Sequence, residues 1–210
     1  MDPITLDQAQ QLPLHSALWQ PAEVVELQRE NPHLSLRHSR LIVTLPRALQ
    51  WHQSLHGDHA RRGEVVLCLQ DEQEQMLLHS KSFYPPGASR LLTGGIYQSE
   101  PVLQALQREG REETGLLLAD RRPLAVLFYT LQAPDLTVPF ISYLFLCRVP
   151  SFEPQPQDLQ ERIAGFSWVD RAGLAETIAS LLHLPDGWAD WGNFRAAAHQ
   201  LLLEILSEHK

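Results

Sequence analysis

The chain is 210 residues long, 44% hydrophobic and 20% charged, with a formal net charge of −8. That length fits one domain, or one with an added lobe, and the apolar content excludes a disordered chain of high net charge. The acidic balance excludes a nonspecific nucleic-acid binder, which needs a basic patch, but leaves room for a small anionic ligand bridged by metal.

Residues 1–39 are polar and punctuated by proline, with one predicted helix at 21–30. The opening MDPITLDQAQQLP lacks the basic-then-apolar layout of a signal peptide. Residues 40–45 (RLIVTL) read as a strand and 46–55 as a short helix opened by proline. Residues 64–69 and 75–80 read as the two strands of a hairpin around Asp71-Glu72-Gln73. Tyr84-Pro85-Pro86-Gly87 is a loop, followed by a strand end over 91–95. A helix then runs from Val102 to about Glu113, closed by Gly115. Long strands are expected at 123–131 and 138–149, joined by 132–137, and a final strand at 165–169. Helices at 170–182 and 190–208 are separated by Pro185-Asp186-Gly187.

Strands interleaved with helices of these lengths predict an α/β fold, a three-layer α/β/α sandwich around a mixed β-sheet. Residues 1–60 read as an N-terminal extension packed on a core of 61–170, and 171–210 as C-terminal helices of the same domain. Cys68 and Cys147 sit in apolar, strand-like runs without metal-ligand spacing, which predicts buried thiols in a reduced cytoplasm. The most apolar stretch, 138–149, is too short to span a bilayer.

The chemistry concentrates in residues 94–116, GGIYQSEPVLQALQREGREETGL. Val102, Ala105 and Leu106 form an apolar stripe, and the same stripe continues into Glu109, Glu112 and Glu113. At about 100° per residue these three carboxylates share roughly a 100° arc of one helix face. One half of the stripe docks on a core, and the other aims carboxylates into a cleft. Crowded carboxylates repel unless a cation sits among them, and hard divalent ions that keep waters and phosphate oxygens in their shell are the natural partner. Two such ions about 3.5–4 Å apart polarise a phosphate and activate a water. Gly94 and Gly95, after Leu91-Leu92-Thr93, permit close backbone approach.

In order and spacing, Gly94, Glu100, Arg108, Glu109, Glu112, Glu113, Gly115 and Leu116 resemble the Nudix box. The resemblance implies a hydrolase that cleaves nucleoside diphosphates linked to another group, with Mg²⁺ or Mn²⁺ as cofactor. It implies metal ligands at Glu109, Glu112, Glu113 and the Gly94 carbonyl, with Glu112 also in a catalytic role. Arg108 would pair with a box glutamate and hold its rotamer, and Glu100 would orient another box residue. An extra glutamate before the final strand is matched by Glu161, with Glu153 and Asp158 as rivals. The partner implied is a small nucleotide-type substrate, with no nucleic-acid polymer and no membrane, and a homodimer is allowed. Gly110 departs from the pattern, which has an aliphatic residue there; it either admits a close neighbour or loosens the helix. Substrate marks are indecisive: Pro134 is late for ADP-ribose, Tyr129 early for dinucleoside polyphosphates, and the longer NADH and coenzyme A motifs are absent.

Two other functions compete. A catalytically silent nucleotide-binding module is disfavoured by the intact glutamates. An isoprenoid diphosphate isomerase would need a catalytic cysteine that Cys68 and Cys147 supply poorly. Among further candidates, His52, His56 and His59 have helical spacing suited to zinc but read as solvated surface. Tyr84 and Arg90 could meet base and phosphate, with Phe128 and Tyr129 on an opposite wall, though each reads more simply as core or loop. Trp188, Trp191 and Phe194 read as anchors of the last helix rather than as a stacking lid.

Overall fold

The structure, a computed structural model, describes residues 1–12, 18–56 and 60–208. Among the described residues the strands are β1 (Asp2–Pro3), β2 (Ser35–Ile42), β3 (Arg61–Gln70), β4 (Met76–Lys81), β5 (Arg90–Tyr97), β6 (Asp120–Ala133), β7 (Leu136–Arg148) and β8 (Ile163–Val169). They form one mixed sheet in the order β1-β2-β6-β7-β3-β5-β4-β8. The helices are α1 (Leu6–Gln10), α2 (Pro21–Glu30), α3 (Leu45–His56), α4 (Val102–Thr114), α5 (Arg171–Leu182) and α6 (Ala189–Glu208), with a 3₁₀ turn at Leu159–Glu161. No helix among the described residues is long and apolar enough to cross a membrane.

Residues 123–129 and 141–147 are buried without a break. Continuous rather than alternating burial means that both faces of the sheet are covered. Side chains of successive strand residues project to opposite faces, and β5 shows what lies on each. Thr93 reaches Arg195 of α6, while the next position, Gly94, lies against Glu109 of α4. Glu23 of α2 bonds the first turn of α4, and Trp51 of α3 packs on Phe194 of α6, 5.0 Å between ring centroids. So α2 and α4 cover one face and α3 and α6 the other. The expected α/β class and its mixed, helix-flanked sheet are present.

Three local expectations need correction. The strands expected at 64–69 and 75–80 exist as β3 and β4, but they share one residue pair, Gln70 with Met76, and β5 pairs with both. The reason is local: Asp71 Oδ1 accepts from the amides of Gln73 and Gln75 at 2.9 and 2.7 Å, and Glu74 is left-handed at φ 59°. These bonds shape the loop, and beyond the one pair β5 lies between the two strands in the sheet. The linker expected at 132–137 shrinks to Pro134-Asp135, because Ala133 pairs with Leu136. The strand expected at 40–45 begins earlier, at Ser35. It is set by parallel pairing with β6 rather than by its apolar run, and Ile42 is 74% exposed. The N-terminal 60 residues therefore extend the core's own sheet.

Candidate active site

Helix α4 begins without a side-chain cap, since its N-cap is Pro101. Glu23 of α2 supplies one from outside: its Oε1 accepts from the Val102 amide at 3.2 Å and from Arg62 Nη2 at 2.7 Å. Arg62 Nη2 also donates to the Glu100 carbonyl, 2.8 Å. The far end stops at Gly115, whose φ of 80° suits glycine, and its N–H donates to the Arg111 carbonyl. Gly110, inside the helix, is a close-approach site: a Cβ there would stand 2.7 Å from Leu118 Cδ1.

Between these ends Arg108 organises the carboxylates. Its Nε and Nη2 hold Glu100 in a two-pronged bond of 2.8 and 2.9 Å. Nη1 donates to Glu109 at 2.7 Å and Glu112 at 3.0 Å, while Nη2 also donates to the Gly95 carbonyl at 2.7 Å. A planar fork of five donors can do this, and an ammonium cannot. Bonding to Glu100 pushes the Arg108 pKa further up. Burial raises the Glu100 pKa, but the bonds from Arg108 and the Tyr97 amide outweigh it and leave a net lowering.

Glu109 is 5% exposed, and burial raises its pKa against the pull of Arg108. Gly94 is required here, because any Cβ would land on the Glu109 carboxyl group. Glu113 is fully buried, and neither carboxylate oxygen has a hydrogen-bond partner. Its nearest cation is Lys81 Nζ at 3.4 Å from Oε1. Burial pushes Glu113 up to about 8, with Lys81 and Arg90 opposing and Glu109 and Glu161 reinforcing. A buried pair of unsatisfied oxygens is costly by itself, so the donor set fits a hard cation. Glu112 is the most open of the three, its side chain 38% exposed. Among the described residues no three His, Cys, Asp or Glu side chains lie close enough to hold one ion, and Arg108 and Lys81 are paired with the carboxylates.

Glu161 ends the 3₁₀ turn and reaches into the same space, where its Oε2 is paired with Lys81. Its rivals do not: Asp158 caps that turn through the Gln160 amide, and Glu153 is exposed. A cavity of about 220 Å³ opens beside these groups. Glu109, Glu161, Lys81 and Arg61 line it, together with Trp51, Phe140 and the Glu64–Arg195 pair.

A family model described as the NUDIX domain matches residues 60–185. This chain belongs to the Nudix family. It is a hydrolase of phosphoanhydride bonds, and its box glutamates stand on α4, with Glu109 lining that cavity. Among solved structures the chain is similar to E. coli dihydroneopterin triphosphate pyrophosphohydrolase, at 15% identity over 67% of this chain and 94% of that one, TM-score 0.47. It is also similar to a C. elegans Ap4A hydrolase, at 16% identity over 69% and 98%, TM-score 0.46. A third is the NUDIX domain of Shewanella oneidensis NrtR complexed with ADP ribose, at 16% over 76% and 99%, TM-score 0.43. No curated protein matches the chain.

The other sequence candidates scatter. Arg90 lines the cavity and donates to Tyr84 Oη at 2.7 Å, but Tyr84 belongs to an aromatic cluster with Trp188 and Trp191. Phe128 and Tyr129 are fully buried core, not wall, and Phe194 is core packed on Tyr129, 4.6 Å between ring centroids. His52 and His56 stack on α3 at 4.2 Å, and His59 lies outside the described residues. Lys81, Arg61, Glu64, Arg195 and Trp51 went unrecognised in the sequence. One signal was available: Glu64 is a charged residue opening the apolar run VVLCL, and buried carboxylates are rare without a partner.

Proposed function

We propose that this Nudix protein is a divalent-metal-dependent pyrophosphohydrolase that cleaves the diphosphate linkage of a nucleoside diphosphate derivative (NDP-X). The observation that carries the reading is the buried Glu113 carboxylate, with neither oxygen satisfied, on the same helix as Glu109, which lines a cavity together with Glu161, Lys81 and Arg61. Glu109, Glu112, Glu113 and the Gly94 carbonyl would hold Mg²⁺ or Mn²⁺. Such an ion supplies Lewis-acid polarisation of the phosphate and a water acidified toward neutral pH. Arg108 fixes Glu100, Glu109 and Glu112 in position, and Gly94 leaves room for the Glu109 carboxylate. Lys81, Arg61 and Arg90 offer positive charge to the diphosphate oxygens. Glu161 is the general-base candidate, because it shares the cavity with Glu109 and pairs with Lys81, which also approaches Glu113. The free, buried Cys68 and Cys147 support a reducing, cytoplasmic setting, and their complete burial inside strands argues against a thiol-dependent isomerase.

The test is a panel of nucleoside diphosphate derivatives with Mg²⁺ or Mn²⁺, scored by phosphate release after phosphatase coupling. Glu112→Gln and Glu113→Gln are each expected to cut turnover by more than about 100-fold, since even a residue that only orients a ligand costs roughly 10- to 100-fold. Partial rescue at high metal is expected, and wild-type rates in both variants would remove the metal assignment.

A further inference from the structure

Part of the cavity lining comes from outside residues 60–185, the part that matches the family. Trp51 and Ser54 come from α3 in the N-terminal extension, and Arg195 from α6. These two helices are fastened to each other at several points. Asp190 Oδ2 accepts from the amide and hydroxyl of Thr44, at 2.8 and 2.7 Å, just before α3 starts. Arg47 Nη2 donates to the Gly187 carbonyl at 2.8 Å. The Trp51 ring rests on Phe194, which in turn packs edge-on against Phe140 at 5.2 Å. Trp51 is thus a half-buried indole that lines the cavity, packed on Phe194 and with the Arg47 guanidinium 6.0 Å from its ring centroid.

Beside this aromatic patch lies a buried polar pair. Arg195 Nη1 donates to both oxygens of Glu64, at 2.9 and 2.7 Å, and Ser142 Oγ donates to Oε1 at 2.8 Å. A carboxylate has about four acceptor directions, and these bonds use two on Oε1 and one on Oε2. Glu64 also lines the cavity, so its carboxylate presents an acceptor there.

A flat aromatic surface next to an acceptor suits a planar ring with N–H groups at its edge, and suits an aliphatic chain or a bare sugar poorly. We propose that Trp51, Phe140 and the Glu64–Arg195 pair form a base subsite, in which the nucleobase of the substrate stacks on Trp51. The N-terminal extension is then a specificity element of the enzyme. This rests on the reading of the cavity as a nucleoside diphosphate site, and it deepens that reading by saying which residues take the base.

The experiment is calorimetric binding of AMP, GMP, CMP and UMP, with ribose 5-phosphate as the base-free control, all without divalent metal. At least one nucleotide is expected to bind roughly tenfold or more tightly than ribose 5-phosphate. Trp51→Ala should bring that nucleotide down to the level of the control. Trp51→Phe should keep most of the affinity yet lose the nucleotide-induced quenching of tryptophan fluorescence. Nucleotides that bind no better than ribose 5-phosphate would overturn the proposal, as would unchanged affinity in a folded Trp51→Ala protein. Because binding is read without hydrolysis, the two readings fail separately. A wild-type protein that binds nucleotides but cleaves no diphosphate refutes the hydrolysis proposal and leaves the subsite standing.

Discussion

Arg108 uses all three of its nitrogens on protein oxygens, and Lys81 does its work differently, as a buried point charge between Glu113 and Glu161. That pairing makes Glu161 the residue whose role is easiest to separate from the box. If Glu161 is the base, Glu161→Gln lowers kcat without a matching rise in KM, because the lost interaction belongs to the transition state. The pH–rate profile then loses its acidic limb, which reports protonation of the base. Glu153→Gln is the control, since Glu153 is exposed and outside the cavity lining. Equal and mild effects from both changes would return the base role to Glu112 or Glu113.

Helix α4 is aligned at its start by Glu23 and pinned in its middle by Leu118, and each contact predicts a stability change. Glu23→Ala removes the side-chain acceptor at the Val102 amide and the carboxylate paired with the buried Arg62. Loss of a cap costs about 0.5–2 kcal/mol, and a buried cation left short of its partner costs about 3–5 kcal/mol. Denaturant titration should therefore show a loss of at least about 3 kcal/mol for Glu23→Ala, and a smaller loss for Glu23→Gln, which keeps the acceptor. Gly110→Ala gains about 0.5–1 kcal/mol of helix propensity. Against that, the new methyl meets Leu118 Cδ1 at 2.7 Å and Cγ at 2.8 Å, and overpacking costs about 1–3 kcal/mol. The expected net is a loss near 1 kcal/mol, a fall in Tm of about 2–4 °C. A more stable alanine variant would mean that Leu118 swings aside without cost.

For the whole molecule, His199 joins the last helix to the sheet. Its Nε2 accepts from the Leu91 amide at 2.9 Å, and its Nδ1 bonds the Arg195 carbonyl at 2.8 Å. Burial, reinforced by Arg90 and Arg195, lowers its pKa to about 3, although the Arg195 carbonyl bond pulls upward. In the unfolded chain the value is about 6.5. The folded pKa is the depressed one, so the unfolded state binds the proton first. His199 therefore contributes full stability above about pH 6.5, and that stability is lost as pH falls from there toward 3, by about 1.4 kcal/mol per unit. His199→Gln is less stable than wild type at pH 7.5, and the gap should narrow steadily in urea titrations at pH 6 and pH 5. A gap that is constant with pH would place the proton elsewhere.

The box was legible because its chemistry is local: one helix carries Arg108, Glu109, Glu112 and Glu113, and helical period alone puts them on one face. The long strands, α2, α4 and the closing Gly115 were equally legible, since runs of apolar residues and a left-handed glycine act over a few positions. Sequence also bounded the Gly110 question to two answers, and the tertiary structure chose the close neighbour. What only the tertiary structure decided were the contacts between residues far apart in the chain. Lys81 meets Glu161 across 80 positions, and Arg195 meets Glu64 across 131. No periodicity reports such pairings, because they depend on the order of strands in the sheet. That order sets β5 beside both β3 and β4, and it brings an N-terminal tryptophan and a C-terminal arginine to the same cavity.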